Sequence, residues 1–466
     1  MRNHLFLLIF SIFFANLGLA QADIDDLLLQ GDQLAETGEY AEALLKYKDA
    51  YQILMPQLRS LAFKHPVTPN LMRREDLGKH LSGLIDEEYS DADMKMMDQS
   101  LKVFGMASSD MDLKETLLAL YTEQVAGFYE PENDKMFLIA DHEPAEKQSF
   151  LAELFAPKGF NADEQKVILA HEMAHALQDQ HYDLHELYEQ TKSNDDRALA
   201  LSALVEGDAT VVMFAEQQRL IGQPTDLSDL PPGVMDFSFN ALKVFLPFSG
   251  GKAFASAPRI LKDSLLFPYH KGAVFVIHLS NEGGWGRVDE AWHDLPESTE
   301  QILHPKKYLA SERDRPISIE IPEFSDLADE DWQLLGSNVM GEFQIRSLLG
   351  GIPFAAAAAA GWGGDRYQTF FKGGKRGLIW STRWDSERDA YQFGVAYQNY
   401  LQRRLELEPS PDAEATYGIA PFTGEFSHSK DAVSYSIKKL GKDVVIVEGF
   451  GEALTQHISD TILDLE

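Results

Sequence analysis

The chain has 466 residues, enough for two or three domains with cores of their own, and 44% of them are hydrophobic, as in globular proteins. Its 74 Asp and Glu against 41 Lys and Arg give a formal net charge of -33, which works against binding nucleic acid or an anionic membrane surface. There is no cysteine, which excludes disulfides, thiolate metal sites, cysteine nucleophiles and a lipidated N-terminal cysteine together.

Arg2 precedes an apolar run over residues 5–14 in which Ser11 is the one polar residue, and small residues follow at Gly18, Ala20 and Ala22. This predicts an export signal over residues 1–22, since the run is shorter than the ~20 residues that a bilayer crossing needs. The mature protein is then expected in a bacterial periplasm or outside the cell, with no integral membrane segment after signal removal. Residues 23–110 read as an all-helical N-terminal module. Within it Gly31, Leu34, Gly38, Tyr40, Ala43, Tyr47 and Ala50, followed by Pro56, resemble one tetratricopeptide helix pair. A single pair cannot bury its own faces, so it is expected to dock on the adjoining part of the chain, and its groove is a candidate seat for a protein partner.

Residues 111–315 carry the chemistry. A helix over residues 113–126 leads into a hairpin over 127–139 with a polar turn at Glu132, Asn133 and Asp134. Asn161 is a good N-cap, with Asp163 and Glu164 in the first turn of a helix that runs to about Gln180. Apolar residues from Val167 to Leu177 surround this helix nearly all round, so its polar residues are costly to bury without a partner. Those residues are His171-Glu172-Met173-Ala174-His175. Positions four apart on a helix lie about 40° apart in projection, so His171 and His175 can aim at one point, with Glu172 close enough to hold a water there.

A second helix, opened by Ser193 with Asp196 three residues on, runs to about Leu220. Between Arg197 and Glu216 its only charges are Glu206 and Asp208, and Ser202, Ala203, Ala209 and Thr210 beside Glu206 are small enough for close approach to the first helix with an ion between them. Two neutral imidazoles, a carboxylate and an open position make the donor set of a hydrolytic zinc site, with one Zn2+ per chain. The competing third ligand is His181, six residues after His175, where a metzincin places its last histidine; Met235 would then supply that family's methionine turn. That pattern needs glycine at position 178 so that the helix can stop, and the residue here is Gln178. If the helix continues, His181 faces away, which favours Glu206. Asp179 and, more weakly, Asp208 are candidates to orient a ligand imidazole. The hairpin lies where many metallopeptidases hold substrate as an added strand just before the zinc helix.

Beyond a Pro- and Gly-rich connection, Tyr269-His270-Lys271-Gly272 enters an apolar helix that ends at Gly283-Gly284. Residues 316–466 read as an α+β domain: a helix through Leu349, a short helix over the alanine run 355–360, then a strand-strand-helix-strand-strand-helix order.

His171-Glu172-x-x-His175 with downstream Glu206-Gly207-x-Ala209 resembles the gluzincin metallopeptidases, the thermolysin and aminopeptidase N relatives, over residues 120–300. Tyr269-His270-Lys271-Gly272 is similar to the Tyr-x-Lys-Gly helix of the aminopeptidase N group, and the resemblance implies that Tyr269 stabilises an oxyanion. The spacing to Glu206 is longer than in aminopeptidases, and the Gly-x-Met-Glu-Asn exopeptidase motif is absent. The fold class expected is predominantly helical α+β, with a gluzincin-like metallopeptidase core between an N-terminal helical module and a C-terminal α+β module. The function expected is that of an exported zinc endopeptidase with Glu172 as general base, acting on protein or peptide. The alternatives are a binding or assembly protein that retains the metallopeptidase scaffold, and an aminopeptidase.

Overall fold

Small residues at close-packed positions build the first two helices, α1 (21–36) and α2 (Tyr40–Arg59), joined at Gly38, whose φ is +85°. The computed structural model describes residues 21–131, 135–140, 162–226, 230, 251–407, 422–430 and 432–465. Residues 1–20 of the expected signal, the Asn161 cap, the hairpin turn at 132–134 and Met235 lie outside the described residues.

Gly31 packs against the Tyr47 ring, where a Cβ would stand 2.3 Å from Tyr47 Cε1. The apolar face of α2 (Ala43, Tyr47, Ala50, Tyr51, Leu54 and Leu58) is buried in the same core as the histidine-bearing helix. Arg59 at the end of α2 is buried, donating at 2.7 Å to both Asp208 and Asp289 beneath the Trp285 ring. Tyr51 donates to Glu216 at 2.5 Å. Truncating one partner of such a buried ion pair costs about 3–5 kcal/mol, so the hairpin is tied into the central core.

The expected all-helical stretch to residue 110 is interrupted. Strand β1 (Thr68–Arg73) precedes α3 (Arg74–Glu88), α4 (Asp91–Val103) and α5 (Leu113–Gln124). β1 pairs parallel with β3 (Lys135–Ala140), which pairs antiparallel with β2 (Gly127–Glu130), giving the order β1-β3-β2. Pro69 sits on the outer strand, where a missing N–H breaks no ladder. β2 is the opposite edge.

The central layer is α6 (Ala162–Tyr182), α7 (Asp195–Leu220) and α8 (Arg259–His293). Asn194, accepting from Arg197 N at 3.0 Å, caps α7 in place of the expected Ser193. α7 is long and apolar enough to cross a membrane, but its apolar surface is buried in the core. Non-helical backbone at Gly283 and Gly284 breaks α8 where its apolar stretch was expected to end.

The C-terminal region holds a six-stranded antiparallel sheet, β4 (Gln333–Asn338), β5 (Trp362–Lys372), β6 (Lys375–Trp384), β7 (Glu425–Lys430), β8 (Val433–Leu440) and β9 (Asp443–Phe450), in the order β4-β5-β6-β9-β8-β7. Four of these strands were expected; β4 and β7 are additions, and both are edges. β4 replaces the first part of the expected helix, leaving α9 (Gly341–Leu348). Side chains alternate between faces: Val444 and Ile446 meet α10 (Glu387–Arg404), whereas Val445 and Val447 meet α11 (Glu452–Leu465). The molecule is thus a mixed α+β protein, with helices dominating its first two thirds and a covered sheet at its end. α4 joins the two parts: Phe104, just past its end, packs edge-on against Tyr367 and Trp380, and Ser100 pairs with Thr369 at 2.8 Å.

Candidate metal centre

His171 and His175 lie one turn apart in the middle of α6, both 8% exposed. α7 crosses beside it and brings Glu206 between the rings. His171 Nε2 and His175 Nε2 are 3.0 Å apart, and Glu206 Oε2 lies 3.2 Å from the first and 3.4 Å from the second. Donors held tetrahedrally at about 2.0–2.1 Å from a zinc ion lie roughly 3.3 Å from one another, so this triangle fits such an ion. The protein brings no lysine or arginine to it: among the described residues, the ion-pair partners of Glu206 are the two imidazoles. Burial disfavours the Glu206 charge, but the imidazoles outweigh it and hold the carboxyl well below its usual range. Burial likewise opposes the charge on His175, and Glu206 outweighs it, lifting the imidazole to about 9. The site therefore demands positive charge.

A second group of potential ligands, Glu300, Asp314 and Asp385, has a different centre. The ammonium of Lys307 lies 2.7, 2.6 and 2.7 Å from these three carboxylates.

The candidates for orienting the imidazoles are placed elsewhere. Asp179 accepts from the Tyr129 hydroxyl at 2.8 Å and from Leu184 N at 3.0 Å, and Asp208 accepts from Arg59 and from Trp292 Nε1 at 2.7 and 3.1 Å. His181 faces away, 2.8 Å from the Ala62 carbonyl, because α6 continues to Tyr182. The residue on the His175 ring is Gln178, whose Oε1 lies 2.9 Å from Nδ1. Its only trace in the sequence was a departure from the metzincin pattern.

Glu172 is 4% exposed, and its Oε2 has no hydrogen-bond partner among the described residues. Burial pushes this carboxyl up against the pull of the two histidines. Gly127, at the start of edge strand β2, lies against it: a Cβ there would be 3.1 Å from Glu172 Oε1. Tyr269 on α8 stacks on His171, with ring centroids 5.9 Å apart at 22°. Burial, then the Glu206 and Glu172 charges, raise its phenol well above the usual range, so the hydroxyl is neutral and donates toward Glu206. Tyr188, which the sequence did not single out, lines the same cleft, and burial raises its phenol in the same direction.

Two glycines make this proximity possible. A Cβ on Gly207 would stand 2.2 Å from the Gly272 carbonyl carbon, and one on Gly272 2.0 Å from the Ala203 carbonyl oxygen. α7 and α8 thus cross backbone to backbone, next to Glu206 on one side and one turn from Tyr269 on the other.

These groups line a cleft of about 1030 Å³. Edge strand β2 forms one side, Leu81 and Leu84 of α3 with Met96 and Met97 of α4 form a wall, and Asn338 reaches in from the C-terminal sheet. A family model described as a domain of unknown function, DUF8575, matches residues 333–459, the C-terminal sheet and most of its helices. No curated protein and no solved structure matches the chain.

Proposed function

We propose that this chain is an exported zinc-dependent endopeptidase of gluzincin type that hydrolyses peptide bonds in protein or peptide substrates. The observation that carries this reading is the triangle of His171 Nε2, His175 Nε2 and Glu206 Oε2, with edges of 3.0, 3.2 and 3.4 Å, in a cleft beside Glu172, whose Oε2 has no hydrogen-bond partner among the described residues. A zinc ion held by these three residues supplies a Lewis acid strong enough to make water a nucleophile near neutral pH.

The chain's own groups would do the remaining work. Glu172 holds the attacking water, accepts its proton and delivers it to the leaving amine. Its burial and raised pKa bring its basicity closer to that task. The neutral hydroxyl of Tyr269 donates to the oxyanion as charge develops on the carbonyl oxygen, and its ring is held in place on His171. The outer edge of β2, an edge strand among the described residues, offers main-chain groups to an extended peptide, and Gly127 lets that strand lie close against Glu172.

The test measures zinc per chain in the purified protein and cleavage of a generic unfolded protein. One zinc per chain, with cleavage by wild type and none by Glu172→Gln, supports the reading. Stoichiometric zinc without cleavage by wild type favours a binding protein on a metallopeptidase scaffold. Cleavage that requires a free amino terminus favours an aminopeptidase.

A further inference from the structure

Three residues beyond His175, the side chain of Gln178 stands on the same face of α6 as that imidazole. It is 1% exposed, and both ends of its amide are engaged. Nε2 donates to the Val205 carbonyl at 3.0 Å, and Oε1 lies 2.9 Å from His175 Nδ1. A carbonyl can only accept, so Val205 fixes which end of the amide is which and leaves Oε1 as the acceptor facing the ring. Nδ1 must then carry a hydrogen, and the neutral ring presents its lone pair at Nε2, the atom that faces His171 and Glu206. Val205 immediately precedes Glu206, so the same amide ties α6 to α7 beside the third donor. His171 has no such support: its Nδ1 is buried without a hydrogen-bond partner among the described residues.

We propose that Gln178 is a positioning residue of the metal centre, a clamp that holds His175 in the tautomer ligating through Nε2 and sets the distance between His175 and Glu206. The inference rests on the zinc reading above. It also gives position 178 a purpose: where a glycine would let the helix turn back to bring up a third histidine, the glutamine lets it run on and takes hold of the helix that carries a glutamate.

Two variants separate a clamp from a packing residue. Gln178→Met keeps the volume and removes both hydrogen bonds, whereas Gln178→Glu keeps an acceptor for Nδ1 and loses the donor to Val205. Zinc affinity of the purified full chain is measured by competition with a chromophoric chelator, and nitrogen NMR of histidine-labelled, zinc-loaded protein reports the His175 tautomer. Gln178→Met is expected to bind zinc about 10- to 100-fold more weakly, and Gln178→Glu to recover part of that loss. Wild type is expected to carry its His175 proton on Nδ1. A residue that only packs would change the melting of the zinc-free protein and leave zinc affinity unmoved. Zinc affinity of Gln178→Met within about twofold of wild type, or ligation of His175 through Nδ1, overturns the proposal. If Gln178→Met does not fold, the tautomer in wild type and the affinity of Gln178→Glu decide it. Wild type that takes up no zinc brings down the zinc reading as well, whereas zinc uptake unaffected by Gln178→Met brings down the clamp alone.

Discussion

Among the described residues there are two groups of potential metal ligands, and they differ in what occupies their centre. Around Lys307, the carboxylates of Glu300, Asp314 and Asp385 close on an ammonium that the chain itself provides. Around Glu206, two imidazoles and one carboxylate converge, and no lysine or arginine joins them among the described residues. The first cluster already holds a cation of its own, shared among three carboxylates. The second can be satisfied only by a cation from outside, a proton or a metal ion. Convergent acidic or imidazole groups thus imply a metal only where the fold has withheld its own positive charge.

The sharpest way to test this contrast is at Glu172, the proposed base beside the second cluster. Glu172→Gln is expected to reduce peptide cleavage by about 10²- to 10⁴-fold while zinc per chain stays at the wild-type level, measured by rate assays and elemental analysis in parallel. The first cluster should answer in stability instead. Lys307→Met leaves carboxylates without their cation and should cost about 3 kcal/mol, the low end for a buried pair because Asp314 and Asp385 are partly exposed. Denaturant unfolding checks that figure, and zinc content should not change.

Smaller effects belong to the donors around the second cluster. Tyr269→Phe should lower kcat by about 10²-fold and change KM much less, since in the proposed peptidase its hydroxyl would act on charge that appears only in the transition state. Proton competition should be visible directly. Because Glu206 lifts His175 to about 9 in the zinc-free protein, zinc uptake at pH 7 must displace a proton from that ring. Affinity should therefore rise by about tenfold per pH unit up to about pH 9 and then level off, with close to one proton released per zinc below that point. Calorimetry in buffers of different ionisation enthalpy counts that proton, and uptake independent of pH between 7 and 9 would contradict the assignment of His175.

How much of this was legible in the sequence depended on whether a residue stood out against its own helix. His171, Glu172, His175 and Glu206 did, because each is a polar group in a helix otherwise dressed in alanine, leucine and valine. Tyr269 was visible only through a family resemblance, since a single tyrosine in an apolar helix carries no period of its own. Gln178 was hidden for the opposite reason: it matched no ligand pattern, and its purpose appears only when the Val205 carbonyl comes within reach from another helix. Asp179 and, more weakly, Asp208 looked suited to hold an imidazole, and the fold spends them on Tyr129 and Arg59. In the sheet, the inner strands announced themselves through apolar runs in β6 and β9 and through β-branched and aromatic residues spaced among polar ones in β5 and β8. The edges β4 and β7 are mostly exposed and read as polar loop or helix, and the parallel pairing of β1 with β3 joins segments more than sixty residues apart.

The position of α4 has a practical corollary. One flank of this helix presents Met96 and Met97 to the cleft, while Ser100 and, just beyond its end, Phe104 are embedded in the C-terminal sheet. A lesion at Thr369 or Trp380, deep in the C-terminal sheet, should therefore register in kinetic assays as an altered Michaelis constant. Surveys that sort variants by their nearest domain would file it in the wrong place.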